Sequence, residues 1–230
     1  MEVRRIEVPF QNTKLIADIV GDDLRVLSLH GGGSSQRHRF RVVREYLLDK
    51  GLGSVAFDCI GHGDTGGDLI GSSLSSRTEQ AQSVIKYLDV PEPLMVMASS
   101  MGGYTALKLT EHVKVDTLLL VAPAAYYKDA YKVPFGEGFA AHVRAAESWN
   151  KSDAWEILDR YEGRLLIVSG ENDDIIPRAV IHKLYDSAKH ARHRELVTLQ
   201  GVDHGVLRHI TVNEFDRKIF LAAVDRLLAA

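Results

Sequence analysis

One serine in this sequence stands where its hydroxyl can become a nucleophile. Ser100 follows the apolar run 94–98 and precedes a helical pattern that begins at Met101. So tight a turn between a strand and a helix forces an unfavourable backbone conformation on its central residue, and small residues two positions before and after it, here Ala98 and Gly102, avoid a clash. We therefore expect the Ser100 hydroxyl to project beyond the end of the strand.

A serine hydroxyl reacts readily only when a base removes its proton, and that base needs a carboxylate to orient it. Among ten histidines, His204 is the one that follows a predicted strand and precedes a helical pattern late in the chain. His30 and His62 lie in glycine-flanked loops and have structural interpretations. Asp173 and Asp174 both follow the apolar run 165–168, so position alone leaves either as the carboxylate.

Glycines also cluster directly after a predicted strand, in the sequence His30-Gly31-Gly32-Gly33. Glycines at such a position let a backbone amide approach a reacting carbonyl group, as an oxyanion-binding loop requires. We expect His30 to be buried and to hold this loop through hydrogen bonds.

The elements that must position these residues follow from hydrophobic patterning. Short apolar runs that hardly alternate with polar residues are typical of strands covered on both faces of a parallel sheet. They lie at 26–29, 54–57, 94–98, 117–121, 165–168 and 196–199, and helical patterns lie at 36–50, 75–89, 101–112, 177–190 and 211–229. This alternation predicts βαβ units in a doubly wound α/β sheet, preceded by an antiparallel hairpin of strands at 3–8 and 14–20.

Residues 124–162 interrupt the alternation, because the segment is longer than one crossover needs. It contains eight of the 17 aromatic residues. We interpret it as a small cap inserted in a single domain that spans 1–230, and we expect its rings to partly cover a pocket for a small or medium acyl group, aromatic ones included. The alternative is that the rings anchor the cap to the sheet.

A cluster of basic residues follows the glycine loop and consists of Arg37, His38, Arg39, Arg41 and Arg44. Arg37, Arg41 and Arg44 share one face of the helix predicted at 36–50, so we expect a solvated stripe. The alternative is a site for anionic substrate groups, such as the phosphates of coenzyme A.

Composition excludes several classes of function. The chain has 230 residues, a net charge of −3 and a single cysteine, Cys59, which cannot pair within the chain. It shows no signal peptide and no apolar run of the roughly 18 residues that a membrane span needs. We therefore expect a cytoplasmic protein that binds neither nucleic acid nor membrane. We also expect no metal and no cofactor, since the sequence holds no ligand cluster or dinucleotide fingerprint; nothing indicates the oligomeric state.

Together these motifs resemble those of the α/β-hydrolase family over nearly the whole chain, least so across 124–162. The turn at Ser100 is similar to the family's Gly-x-Ser-x-Gly motif, with Ala98 in place of the first glycine. The loop at His30 resembles its His-Gly-Gly-Gly motif, residues 170–177 resemble Gly-x-x-Asp-x-x-x-Pro, and residues 58–63 resemble Asp-x-x-Gly-His-Gly.

The resemblance implies an α/β-hydrolase fold, with a mostly parallel sheet of about eight strands flanked by helices and a small cap. It implies Ser100 as the nucleophile, His204 as the base and Asp173, the first of the two aspartates, as the orienting acid. The amides of Gly32 and Met101 would form the oxyanion hole.

The small feruloyl-esterase-like and serine-peptidase-like members are the ones that the loops resemble. This implies a serine hydrolase that cleaves small-molecule carboxylic esters through an acyl-enzyme on Ser100. A thioesterase or peptidase with the same three residues is one alternative, and a non-catalytic ligand receptor is an alternative of another class.

Overall fold

An eight-stranded sheet forms the centre of the computed structural model, which describes residues 2–145 and 147–230. The strands are β1 (Arg4–Phe10), β2 (Thr13–Val20), β3 (Leu24–Leu29), β4 (Gly53–Phe57), β5 (Leu94–Ser99), β6 (Val115–Val121), β7 (Arg164–Gly170) and β8 (His193–Leu199). Their order in the sheet is β1-β2-β4-β3-β5-β6-β7-β8. The hairpin β1–β2 is antiparallel and pairs antiparallel with β4, and every later pairing is parallel. The predicted α/β-hydrolase fold is confirmed.

Helices cover both faces of this sheet. They are α1 (Arg41–Asp49), α2 (Leu74–Tyr87), α3 (Met101–Leu109), α4 (Glu137–Arg144), α5 (Ala154–Asp159), α6 (Arg178–Ser187), α7 (Val206–Val212) and α8 (Glu214–Ala229). None of the helices in the described residues is both long and apolar enough to cross a lipid bilayer.

The continuous apolar runs are explained by two hydrophobic layers, one on each face. In β6, Leu118 and Leu120 pack with α2, α3, α5 and α6, whereas Leu119 and Val121 pack with α1, α7 and α8. Successive side chains of a strand point to opposite faces, so a strand buried on both faces needs apolar residues throughout.

Two predicted helices differ in detail from the structure. The helix predicted at 36–50 is a 3-10 turn, Arg37–Phe40, followed by α1. The helix predicted at 211–229 begins later, as α8, because its first two residues end a separate helix, α7. The Asn213 side chain accepts a hydrogen bond from the Asp216 amide and caps α8. An asparagine at this position satisfies an amide that the helix itself leaves free.

The segment between β6 and β7 carries α4 and α5, and its rings pack together. The ring of Tyr126 lies 5.5 Å from that of Tyr104 in α3, and Phe135 and Phe139 are 4.9 Å apart. The amide of Phe135 donates to the Ser72 carbonyl just before α2. We propose that 124–162 is a cap within a single domain, 1–230, with these rings anchoring it.

The expectation of a solvated arginine stripe is wrong. Arg37 and Arg44 are buried, and only Arg41 is exposed, where it pairs with Glu45. The 3-10 turn breaks the helical spacing that would have put the three residues on one face. Arg37 instead lies at the end of β4, where the buried carboxylates of Asp58 and Asp18 require a counter-ion.

The buried Arg37 guanidinium holds two loops at the edge of the sheet. It contacts the carboxylates of Asp58, directly after β4, and Asp18 in β2, while the Arg37 amide donates to Asp58. Arg37 lies four residues after the glycine loop at 30–33. These ion pairs therefore also fix the position of the chain just after that loop.

Replacing Arg37 with methionine leaves the Asp58 and Asp18 carboxylates buried without their cation. Breaking a buried pair in this way costs about 3–5 kcal/mol, so we expect the free energy of unfolding in urea to fall by that amount. Arg41→Met is the matched control, since its side chain is 73% exposed and exposed pairs contribute about 0–1 kcal/mol. Equal effects of the two substitutions would contradict the structural role given to Arg37.

Candidate active site

Four segments with chemistry-bearing residues meet at the carboxyl edge of the parallel strands. The glycine loop follows β3, Ser100 follows β5, Asp173 follows β7 and His204 follows β8. Because these strands run parallel, the residues that follow them leave the sheet on the same side, which is where open α/β sheets bind their ligands.

Ser100 has the strained backbone that its sequence context predicts. Its φ and ψ are 49° and −121°, a conformation that costs a non-glycine residue of order 1–3 kcal/mol. Backbone hydrogen bonds hold it there, because the Ser100 amide donates to Val121 and the Ser100 carbonyl accepts from Ala124. Gly102 makes the turn possible, since a Cβ there would lie 2.5 Å from the Leu29 carbonyl oxygen.

The three side chains selected in the sequence form one hydrogen-bond chain. The Ser100 hydroxyl lies 3.1 Å from Nε2 of His204, and Nδ1 of His204 lies 2.8 Å from Oδ2 of Asp173. With Nδ1–H donating to the carboxylate, Nε2 presents a lone pair to the hydroxyl. This arrangement can accept a proton from the serine as it attacks an electrophile.

Asp173 is held in place and kept ionised. Its second carboxylate oxygen, Oδ1, accepts hydrogen bonds of 2.9 Å from the amides of Ile175 and Ile176. Burial raises the pKa of Asp173, but the hydrogen bonds from His204 and from these two amides outweigh burial and leave the pKa below its ordinary value. The carboxylate therefore stays charged at neutral pH, as an orienting group for an imidazole must.

Asp174, the rival aspartate, faces elsewhere. Its side chain is exposed at the mouth of the cavity beside Ser100, and within the described residues it makes no hydrogen bond to His204. Gly170 at the end of β7 brings the acid and base loops together. A Cβ at Gly170 would lie 2.3 Å from the Val202 carbonyl oxygen, so only glycine lets the loop that carries His204 approach so closely.

The glycine loop lies against the strand-to-helix turn at Ser100. Gly31 and Gly32 line the same cavity as Ser100, and a Cβ at Gly31 would lie 3.1 Å from the Ser100 Cβ. Across residues 2–145 and 147–230, the amides of Gly32 and Met101 donate to no acceptor. Two free amides beside a serine hydroxyl can stabilise negative charge on an oxygen atom placed between them.

His30 is buried and holds the loop, as its position led us to expect. Its Nε2 accepts from the Cys59 amide at 3.0 Å, so the proton sits on Nδ1, which donates to the Gly31 carbonyl at 2.7 Å. Burial, together with the charge of Arg77, lowers the pKa of His30 well below 6.5. The ring is therefore neutral and has no nitrogen left for base catalysis.

The cavity beside Ser100 has a volume of about 320 Å³ and a lining that mixes polar and apolar groups. Its charged lining residues are Arg39, Asp174, Asp203 and Arg208. Among the described residues of 124–162, no ring lines it, so the expected aromatic pocket finds no support in this cavity; Tyr126, Phe135 and Phe139 pack on one another instead.

A second cavity, of about 380 Å³, shares Ser34, Arg39, Leu207 and Arg208 with the first. Arg208 pairs with Asp203, whereas Arg39 lies within 4.0 Å of no carboxylate in the part of the chain that the structure describes. The two cavities together form a groove that runs from Ser100 past a free cation.

Two arginines, Arg39 and Arg77, lie at this site although the sequence analysis did not place them there. Arg39 was treated as part of a surface group, and its turn toward the cavity depends on the 3-10 turn at Arg37–Phe40. Arg77 lies three residues after Leu74 and four before Ala81 on the buried face of α2. The available signal was a cation at helical spacing from apolar residues, since an arginine is almost never fully buried unless it is paired.

Comparison with known proteins gives a family and a set of similar folds. Residues 22–156 match the model of a family described as serine aminopeptidase, S33. No curated protein matches the chain significantly.

Solved structures resemble the chain over nearly its full length. A 2-hydroxy-6-oxo-6-phenylhexa-2,4-dienoate hydrolase from Rhodococcus sp. is 18% identical, with a TM-score of 0.74 over 100% of this chain and 99% of that one. An esterase from Exiguobacterium antarcticum is 18% identical, with a TM-score of 0.70 over 94% and 96%. The thioesterase domain from the curacin biosynthetic pathway is 17% identical, with a TM-score of 0.68 over 90% and 95%. At these identities the likeness is one of fold.

The depressed pKa of Asp173 predicts how its contribution to stability depends on pH. A carboxyl whose native pKa lies below its unfolded pKa stabilises the fold above the unfolded value, and this contribution is lost as pH falls through the native value. We expect Asp173→Asn to be less stable than wild type at pH 7, and the difference to shrink in acid. Urea unfolding across this pH range measures it, with Asp174→Asn as the control. A difference that does not change with pH would contradict the assigned interactions.

Proposed function

The chain belongs to the serine aminopeptidase S33 family of α/β-hydrolases, and from that premise we propose that it is a serine hydrolase that cleaves carboxylic esters of small to medium acyl groups through an acyl-enzyme on Ser100. Ester, thioester and amide hydrolases share this fold, so the family's description does not by itself assign a peptide substrate.

Each proposed step uses an atom of the site. His204 Nε2 takes the proton of Ser100 as Oγ attacks the ester carbon, and the carbonyl electron pair moves onto the oxygen. The amide hydrogens of Gly32 and Met101 stabilise this oxyanion. When the adduct collapses, the bond to the leaving alkoxide breaks and the proton on His204 passes to it. A water molecule, deprotonated by His204, then attacks the acyl group and releases the acid and Ser100.

The hydrogen-bond chain from Ser100 through His204 to Asp173 is the observation that supports this proposal most strongly. The strained backbone of Ser100 supports the proposal further, because a non-glycine residue with a φ of 49° persists only where the surrounding structure holds it. A receptor built on the same fold has no need of either feature.

Replacing Ser100 with alanine removes the nucleophile and leaves the fold in place. We expect kcat for p-nitrophenyl butyrate to fall by about 10⁶-fold, the loss typical when a serine nucleophile is removed. A fluorophosphonate probe should label wild type at one residue, identified as Ser100 by peptide mass spectrometry. Wild type that is inert to both reagents would favour the non-catalytic receptor.

The two aspartates give a matched comparison for the orienting role. Asp173→Asn keeps the shape of the side chain but presents the wrong hydrogen-bonding group to Nδ1, which lowers kcat by about 10⁴-fold in a Ser–His–Asp enzyme. Asp174→Asn should retain most of the wild-type kcat. The reverse result would make Asp174 the orienting acid.

The groove past Arg39 favours a second candidate, a thioesterase that acts on acyl-coenzyme A. The Arg39 guanidinium, which has no carboxylate partner among the described residues, lines this groove and could bind the phosphates of coenzyme A, since arginine binds phosphate with charge-assisted hydrogen bonds. The structural similarity to a thioesterase domain is compatible with this reading.

Arg39→Gln separates the two candidates. If the leaving group is anionic, KM for butyryl-coenzyme A should rise about fivefold, the ratio that corresponds to about 1 kcal/mol for an exposed ion pair, and KM for the neutral p-nitrophenyl ester should not change. Arg41→Gln is the control, because Arg41 is exposed nearby and does not line the groove. Equal KM changes for both substrates would leave the ester reading as the better one.

A further inference from the structure

Arg77 is a buried cation directly behind the glycine loop. It lies in the second turn of α2, and only 1% of its surface is exposed. Within the described residues no carboxylate lies within 4.0 Å of its guanidinium, in contrast to Arg37, which has carboxylates around it. A buried charge without a counter-ion is costly, so its position calls for a physical reason.

The contacts of Arg77 are to two carbonyl groups of that loop. Its Nη2 donates to the carbonyl oxygens of His30 and Gly31, the latter at 3.2 Å. Its Nε and Nη1 have no partner in the described part of the chain. Burial lowers the pKa of the His30 and His62 imidazoles, and the Arg77 charge lowers the pKa of both further, so this charge acts on His30 in the glycine loop and on His62 in the loop after β4.

The geometry of one peptide unit links these contacts to the cavity. The Gly31 carbonyl and the Gly32 amide belong to the same planar trans peptide, so the N–H points away from the C=O. The Gly31 oxygen is held by two donors, Arg77 Nη2 and His30 Nδ1. With the oxygen held on the side of α2, the Gly32 N–H is turned to the opposite side, where Gly31, Gly32 and Ser100 line the cavity.

We propose that Arg77 is a positioning residue of the oxyanion hole, which orients the Gly32 amide by holding the Gly31 carbonyl and places a fixed positive charge behind it. This inference rests on the proposed serine hydrolase function. The charge has no counter-ion in the resting site, and it gains one when negative charge develops on the substrate oxygen. Such a contribution is stronger in the transition state than in the ground state, so it acts on kcat rather than on KM.

Two substitutions separate this role from a purely structural one. Arg77→Met removes the charge and both hydrogen bonds with little change in volume, and Arg77→Lys keeps the charge. We expect Arg77→Met to lower kcat for p-nitrophenyl butyrate by about 10- to 100-fold, less than the 10²–10³ of a deleted oxyanion donor because the Gly32 amide is still present. KM should change by less than about threefold, and Arg77→Lys should recover part of kcat.

A transition-state analogue gives a readout that folding alone would not move. n-Butylboronic acid forms a tetrahedral anionic adduct on a serine Oγ, so its inhibition constant should rise for Arg77→Met by the same factor by which kcat/KM falls. Both constants are calculated from the concentration of folded protein, which is the fraction that unfolds cooperatively in a thermal melt. If Arg77→Met does not fold, the same comparison is made with Arg77→Lys alone, for which a smaller parallel shift is expected.

Arg44→Met is the matched control. Arg44 is also a buried arginine that donates to backbone carbonyls, those of Asp18 and Ser54, but it lies in α1 and lines no part of the cavity beside Ser100. We expect this variant to lose stability and to keep kcat and the boronate inhibition constant of its folded fraction.

The outcomes are distinct. Unchanged kcat and boronate inhibition in a folded Arg77 variant, or losses matched by Arg44→Met, would overturn the positioning role while Ser100-dependent turnover of wild type stands. Wild type without Ser100-dependent turnover would overturn the proposed function and, with it, this inference.

Discussion

The parallel direction of β3, β5, β7 and β8 is the constraint on which the site depends. The two hydrogen bonds of the Ser100–His204–Asp173 chain join residues 104 and 31 positions apart, so no local structure brings them together. The sheet does so because its parallel strands deliver their following residues to one edge. The strained backbone of Ser100 persists there because the end of β6 and the loop after it bind its amide and its carbonyl.

Three buried arginines use their guanidinium groups in different ways. Arg37 neutralises buried carboxylates and joins the loops after β3 and β4. Arg44 in α1 donates to backbone carbonyls of β2 and β4, and burial lowers its pKa to about 10. Within the described residues, Arg77 pairs with no carboxylate and binds no strand. Its contacts are two carbonyls of the glycine loop beside Ser100, which is why we propose a role in the reaction for it.

Two histidines at the same edge show how surroundings decide what a side chain does. His30 uses both ring nitrogens on backbone groups, so it fixes a loop and stays neutral. His204 uses one nitrogen on Asp173 and presents the other to Ser100 at the cavity. The same side chain thus fixes a loop in one place, and in the other it presents a ring nitrogen to a serine hydroxyl.

Local patterns were enough to predict the strands, the doubly wound sheet and the residues that follow each strand, because burial on both faces requires unbroken apolar runs and a strand-to-helix turn requires small neighbours at Ser100. Patterns of this kind contain no information on which distant groups meet. Tertiary packing decided the burial of Arg37 and Arg44, the exposure of Asp174, the charged residues that line the cavity beside Ser100 and the hydrogen bond from Arg77 to the Gly31 carbonyl. A charged side chain takes its position from counter-ions and carbonyls far away in the chain, and only the folded sheet brings these within reach.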